Sequence, residues 1–311
     1  MSGISYLQLF TIISIIIFVA VSAIRMLKII RTPLHLRWEL MPIPHNKEKF
    51  YYGGSHLEET EYWTKDIKKS SITELKAMGE EILFIKSLFE RNRLLWWASY
   101  PFHIGLYLIV VFVVFLFIGA VAHNSGIAIA GDSGSFGQII YYVTVITGIS
   151  GIILGFAGGV GLLMQRMLRQ DMRLYSVPAD YFNLLLILGV LLFSFGSWFS
   201  GDPSFSGLRA YFAGTIALEH ADVSGTLMTI QMILAGLFFI YLPFTHMIHF
   251  LAKYFAYHQI RWSDDPNVPG SRVSKKVAKQ LGYTITWSAP HVKTGGTWAE
   301  AATDSERDLN E

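Results

Sequence analysis

Five long apolar runs, separated by polar stretches that hold most of the charge, set the pattern of this chain. They fall near Tyr6–Ile24, Ala98–Ala122, Gly137–Met164, Tyr181–Phe199 and Leu227–Ala252. Each is long enough to cross a bilayer, which takes about 20 mostly apolar residues, and this predicts an all-α membrane protein with five transmembrane helices. No basic residue precedes the first run in "MSGISYLQLF", so it reads as a retained anchor and not as a cleaved signal. Before the second run, "SITE" (71–74) fits a capping box. Leu75, Met78, Ile82, Ile85 and Phe89 then recur at spacings of three and four, predicting an amphipathic helix over 72–90 on the membrane surface or against another subunit. Trp96, Trp97 and Tyr100 mark one membrane interface, and Trp198 marks the other. No internal repeat is evident, which weighs against a transporter built from inverted halves.

The pattern divides the chain into a first transmembrane helix (1–30), a loop carrying the amphipathic helix (31–97), a four-helix membrane domain (98–255) and a polar tail (256–311). Charged residues make up only 15% of the chain, against about a quarter in soluble domains. Their placement fixes an expected orientation. Arg25, Lys28, Arg31, Arg37, Lys86, Arg91, Arg93, Arg166, Arg169, Arg173, Lys253 and Arg261 all fall on one side, whereas loops 1–5, 123–136 and 200–226 hold only Arg209. Basic loops stay in the cytoplasm, so the N-terminus is expected outside and the C-terminus inside a cytoplasmic (inner) membrane. The tail, with "DDPNVPGSRVSKK", is too short for a core of its own and is expected to order only on a partner.

There is no cysteine, which excludes thiolate-held iron–sulfur clusters, covalently attached haem and disulfides. No phosphate-binding glycine loop, catalytic triad or nucleic-acid motif is present. Chemistry therefore rests on the ten histidines. His35, His45, His56, His258 and His291 fall in polar segments and read as solvated. His103, in "SYPFHIG", sits about 7 Å inside the second span at about 1.5 Å per residue. His246 and His249, in "PFTHMIH", sit near the same face at the end of the fifth, with His249 about 6 Å from Lys253 on the same rise. A polar group in hydrocarbon without a partner costs several kcal/mol by rough estimate, so intramembrane histidines read as functional. Matched depth makes His103 and His249 candidates for the two axial ligands of one haem. Hydrogen bonds to nearby carbonyls or serines are the alternative. His246 is the competitor, one turn from His249 but rotated by about 60° on a continuous helix.

Five spans with an outer N-terminus, "FHIG" opening the second and "PFTHMIH" closing the fifth, resemble the gamma subunit of respiratory nitrate reductase, a membrane cytochrome b. The likeness covers roughly residues 95–255. It implies haem b on His103 and His249, with iron as the metal and quinol as the electron donor. The family's second haem uses histidines at the positions of Val113 and Gln231, so that pair is not carried over. "LHLRWELMPIPH" (34–45) and "YYGGSHLEETEYWTK" (51–65) look like the branch of anaerobes and sulfate reducers. That branch implies a cytoplasmic iron–sulfur subunit of heterodisulfide reductase type as partner, menaquinone or a similar quinone, and no nitrate chemistry.

His123 and His220 remain, both expected near the outer face, where they would hold a second haem or line a quinol site with Glu219 or Asp222, or simply sit in a wet rim. His123 lies twenty residues beyond His103, about 30 Å along the helix and too far for one electron step. The third span is dense in glycine (Gly148, Gly151, Gly155, Gly158, Gly159, Gly161), a spacing that lets a helix or a porphyrin approach closely. Arg166 and Arg169 at its end are candidates for haem propionates. The expected function is a quinone-reactive electron-transfer subunit of an oxidoreductase complex in anaerobic respiration. The rivals are a cofactor-free membrane anchor and a histidine-dependent proton or metal-ion transporter.

Overall fold

The structure, a computed structural model, describes residues 3–31, 42–66, 68–258, 262–263, 265, 267–289 and 292–303. The first part of "LHLRWELMPIPH", through Met41, lies outside the described residues, as do His35, Arg37, Arg261 and His291. The helices used below are α1 (Tyr6–Arg31), α2 (Ser71–Leu83), α3 (Lys86–Arg91), α4 (Arg93–Asn124), α5 (Ser135–Leu168), α6 (Pro178–Ser200), α7 (Ser206–Ala217), α8 (Gly225–Tyr241), α9 (His249–Ala256) and α10 (Arg272–Leu281). Five stretches are long and apolar enough to cross a membrane: α1, α4, α5, α6 and Gly225–Phe244. The protein is helical with five such elements, and the described residues contain only isolated β-bridges, Thr284 with Thr297 and Ala289 with Val292.

Local chemistry sets the boundaries. The Asn92 side chain accepts from the Leu95 amide at 3.1 Å and opens α4. Pro178 stands at the start of α6, where its missing N–H costs nothing, and the Asp180 carboxylate accepts from the Val177 amide at 3.0 Å. The fifth run does not continue as one α-helix to Ala252. α8 ends at Tyr241 because Pro243 has no amide proton and crowds the carbonyl four residues back. Two short 3-10 turns, Leu242–Phe244 and His246–Ile248, lead into α9. The 60° relation expected between His246 and His249 therefore does not apply.

The amphipathic helix expected over 72–90 is also interrupted. Ile85 adopts φ +51°, a left-handed conformation unfavourable for a β-branched residue, and splits the stripe into α2 and α3. Glu81 accepts from both the amide (3.0 Å) and the hydroxyl (2.8 Å) of Ser87, which clasps the break. The cap sits one residue earlier than "SITE" suggests. The Ser70 hydroxyl lies 3.4 Å from the Thr73 amide, and Glu74 reaches His258 (2.8 Å) rather than back to the helix start.

Two compact units form, Met1–Val21 with Gly79–His246 and Ser22–Met78 with Met247–Glu311. In the first, α4 and α5 meet backbone to backbone. A Cβ on Gly105 would stand 2.2 Å from the Gly155 nitrogen, and one on Gly158 would stand 2.3 Å from the Phe102 nitrogen. Helix packing, not a porphyrin, uses these glycines. Within the expected 200–226 loop, α7 forms and caps the same unit. Its Tyr211 is fully buried with the hydroxyl 2.9 Å from Thr11 Oγ1, and its Arg209 is 3% exposed. The α4 residue Asn124 donates to the Ala213 carbonyl at 2.9 Å.

The tail, too short for a core of its own, falls in one unit with the loop, where the expectation was that it orders only on a partner. Ile43, Trp262, Val273, Ile285 and Val292 are all buried in that unit, so loop and tail residues contribute to one small core. His45 and His56, expected to be solvated, are buried as well, and the His56 ring packs edge-on against Tyr62 at 5.7 Å.

Candidate functional site

His103 stands on α4, three turns into the helix and half-buried. Its Nδ1 donates to the Ser99 carbonyl at 2.7 Å, with the Ser99 hydroxyl 3.2 Å away. That is the hydrogen bond expected of a histidine merely satisfied by its own helix. It is also the bond by which metal-ligating histidines are oriented, because a proton fixed on Nδ1 leaves the lone pair on Nε2. The 2.7 Å acceptor is a backbone carbonyl that any residue at position 99 would present; only the hydroxyl at 3.2 Å is particular to the serine of "SYPFH". Phe102 and Tyr107 flank the ring at 5.6 and 6.5 Å between centroids. His249 opens α9 in the second unit and is exposed. The two histidines belong to different units.

His246 is committed elsewhere. Its Nε2 lies 3.5 Å from Asp180 Oδ1, while Arg166 Nη1 lies 3.5 Å from Asp180 Oδ2 and donates to the Ser176 hydroxyl at 2.8 Å. Arg169 pairs with Asp171. Both arginines considered for propionates thus have protein partners, and Asp180 is the residue the sequence reading missed. On the opposite side of the unit, His220 has both ring nitrogens engaged: Nδ1 lies 3.3 Å from the Gly3 carbonyl and Nε2 lies 3.0 Å from Asp222. His123 is exposed. No hydrogen bond joins His123 to His220 among the described residues, and no group of three or more metal-ligating side chains occurs among them either.

Between the helices of the first unit lies a cavity of about 350 Å³. Its walls are apolar except for Thr11, Ser14, Ser194 and Gln231, and Val113 lines it too. The two positions at which the sequence resemblance stopped short therefore face one space. In the second unit a smaller polar pocket of about 240 Å³ is lined by His45, Glu74, His258 and Arg272 among others. There Glu74 lies 2.8 Å from His258 Nε2 and 4.0 Å from His45 Nδ1. These contacts bind loop to tail and account for both histidines structurally. Compared with protein-family models, curated proteins and solved structures, the chain matches none.

Proposed function

We propose that this chain is a membrane cytochrome b, a quinone-reactive subunit that passes electrons between the quinone pool and a cytoplasmic iron–sulfur partner of heterodisulfide reductase type. In this reading haem b is held by His103 and His249, the quinone is menaquinone or a similar molecule, and the N-terminus faces outside across an inner membrane. The observation that carries it is the Ser99 carbonyl on His103 Nδ1, inside an otherwise apolar membrane-spanning helix, which sets the tautomer an axial ligand needs. Haem supplies one-electron chemistry when bound. The chain's part is to orient the imidazole and keep its surroundings apolar through Phe102 and the glycine seam. A second haem on His123 and His220 has less support, since Gly3 and Asp222 already occupy both nitrogens of His220.

The test is the reduced-minus-oxidised visible spectrum of purified protein, with haem counted per chain. Wild type should show a b-type haem, and His103→Ala and His249→Ala should each lose it while keeping the helical circular dichroism. Full haem in both variants refutes the ligand assignment. A wild-type protein without haem refutes the cytochrome reading in favour of a cofactor-free anchor.

A further inference from the structure

The first unit contains two glutamines inside its bundle, and they are treated very differently. Gln8 is fully buried and saturated. Its Nε2 donates to the Glu219 carbonyl (2.9 Å) and the Thr215 hydroxyl (3.3 Å), and its Oε1 accepts from the Ser5 (2.8 Å) and Ala221 (3.2 Å) amides. Gln231, midway along α8, lines the 350 Å³ cavity and its side chain makes no hydrogen bond among the described residues. The other polar side chains on the wall have committed their protons: Thr11 to Leu7, Ser14 to Phe10 and Ser194 to Val190, all backbone carbonyls. An amide left without partners in an apolar span costs on the order of a few kcal/mol.

A cavity in the volume range of small-molecule sites, apolar on nearly every side and carrying one amide, has a definite complement. The ligand must be apolar, with a polar atom that both accepts and donates as its state requires. A quinone meets that description. Its carbonyl accepts from an amide N–H, and the hydroxyl of the reduced form donates to the amide oxygen; a carboxamide offers both functions on one group. A lipid acyl chain fills such a space but leaves Gln231 unanswered. Depth agrees with this. The wall begins at Leu106, one turn past His103 on the same unbroken helix, and Val113 stands about 15 Å along it. We infer that this cavity is the quinone site and that Gln231 is its polar anchor. The inference rests on the quinone-reactive reading above and assigns that reading its binding site.

Menadione, a soluble naphthoquinone, is the probe. Its equilibrium binding is measured on the full chain in lipid nanodiscs, with haem counted in the same samples. Gln231→Leu keeps the side-chain bulk and removes the amide, so binding should weaken about five- to tenfold, the worth of one hydrogen bond. Val113→Trp fills the space and should reduce binding at least a hundredfold. Haem content should be unchanged in both. Gln231→Leu disturbs the packing least, so it decides the matter if Val113→Trp fails to fold. Equal menadione binding in wild type and Gln231→Leu overturns the inference, as does a wild type that holds haem but no menadione. A second haem that Val113→Trp removes also overturns it, by showing the cavity to be a haem site. If wild type lacks haem yet binds menadione in a Gln231-dependent way, the site stands and the cytochrome reading falls.

Discussion

Gly105→Ala adds one methyl group where α4 and α5 meet backbone to backbone. The new Cβ would lie 2.2 Å from the Gly155 nitrogen, 2.5 Å from its Cα and 2.9 Å from the Gly151 carbonyl oxygen. Ordinary contact begins near 3.4 Å, so the helices must part by about 1.2 Å (3.4 − 2.2). All three obstacles are backbone, and no rotamer change relieves them. Overpacking typically costs about 1–3 kcal/mol, with the upper end fitting an immovable obstacle, while alanine returns about 1 kcal/mol over glycine in a helix. The net destabilisation is about 2 kcal/mol. Gly189→Ala on α6 is the control, because its Cβ would meet only Leu234 Cδ1 at 3.8 Å, and it should be neutral or stabilising by up to about 1 kcal/mol. Unfolding in mixed micelles with rising dodecyl sulfate, followed by circular dichroism, should place Gly105→Ala well below wild type and Gly189→Ala at or above it. Equal midpoints for the two variants would refute the claim that the seam is closed by backbone contact.

Two further outcomes follow from polar contacts. Tyr211→Phe removes the hydroxyl lying 2.9 Å from Thr11 and should lower stability by about 1 kcal/mol in the same assay; no loss would mean that this buried bond does not fasten α7. Hydrogen bonds from Lys49 and then Lys65 hold the Glu59 carboxyl down at about 2 against its ordinary 4.5. A depressed carboxylate contributes stability that is complete above pH 4.5 and is lost as pH falls through about 2. Carbon-13 NMR of glutamate-labelled protein should find Glu59 titrating near 2, and an ordinary midpoint would show that the lysines do not clamp it.

The spans were readable because continuous apolar runs of that length leave few alternatives, and the glycine spacing in α5 already pointed to a close helix contact. Readings that failed did so where a single residue or a distant partner overrode a local pattern. Pro243 ends α8 within an apolar run, and Ile85 breaks an amphipathic stripe whose period continues across it. α7 was missed because its apolar positions are mixed with Arg209 and Thr215, which become acceptable only when α4 and α1 bury them. The burial of His45 beside Glu74, His258 and Trp262 depends on loop and tail residues far apart in sequence joining one unit, which no local window contains. At the candidate site, His103 itself was legible as a lone imidazole in an apolar run, but its bond to the backbone carbonyl of residue 99 follows from the helix and not from the serine in "SYPFH". The contrast between Gln8 and Gln231 is not local. Both are single glutamines in apolar helices, and only the fold gives one of them four partners.

The glycine seam also bears on the order in which the chain assembles. α4 and α5 are neighbours in sequence, joined by ten residues (125–134). Closing so short a loop costs little entropy, and the contacts it brings are local by comparison with those of α8, which packs on α6, or of α1, whose partners lie about two hundred residues away. An antiparallel pair in backbone contact is therefore the first association open to a chain emerging into a bilayer. The later helices dock on a two-helix template already built, and the cavity they enclose comes into being only when α8 arrives.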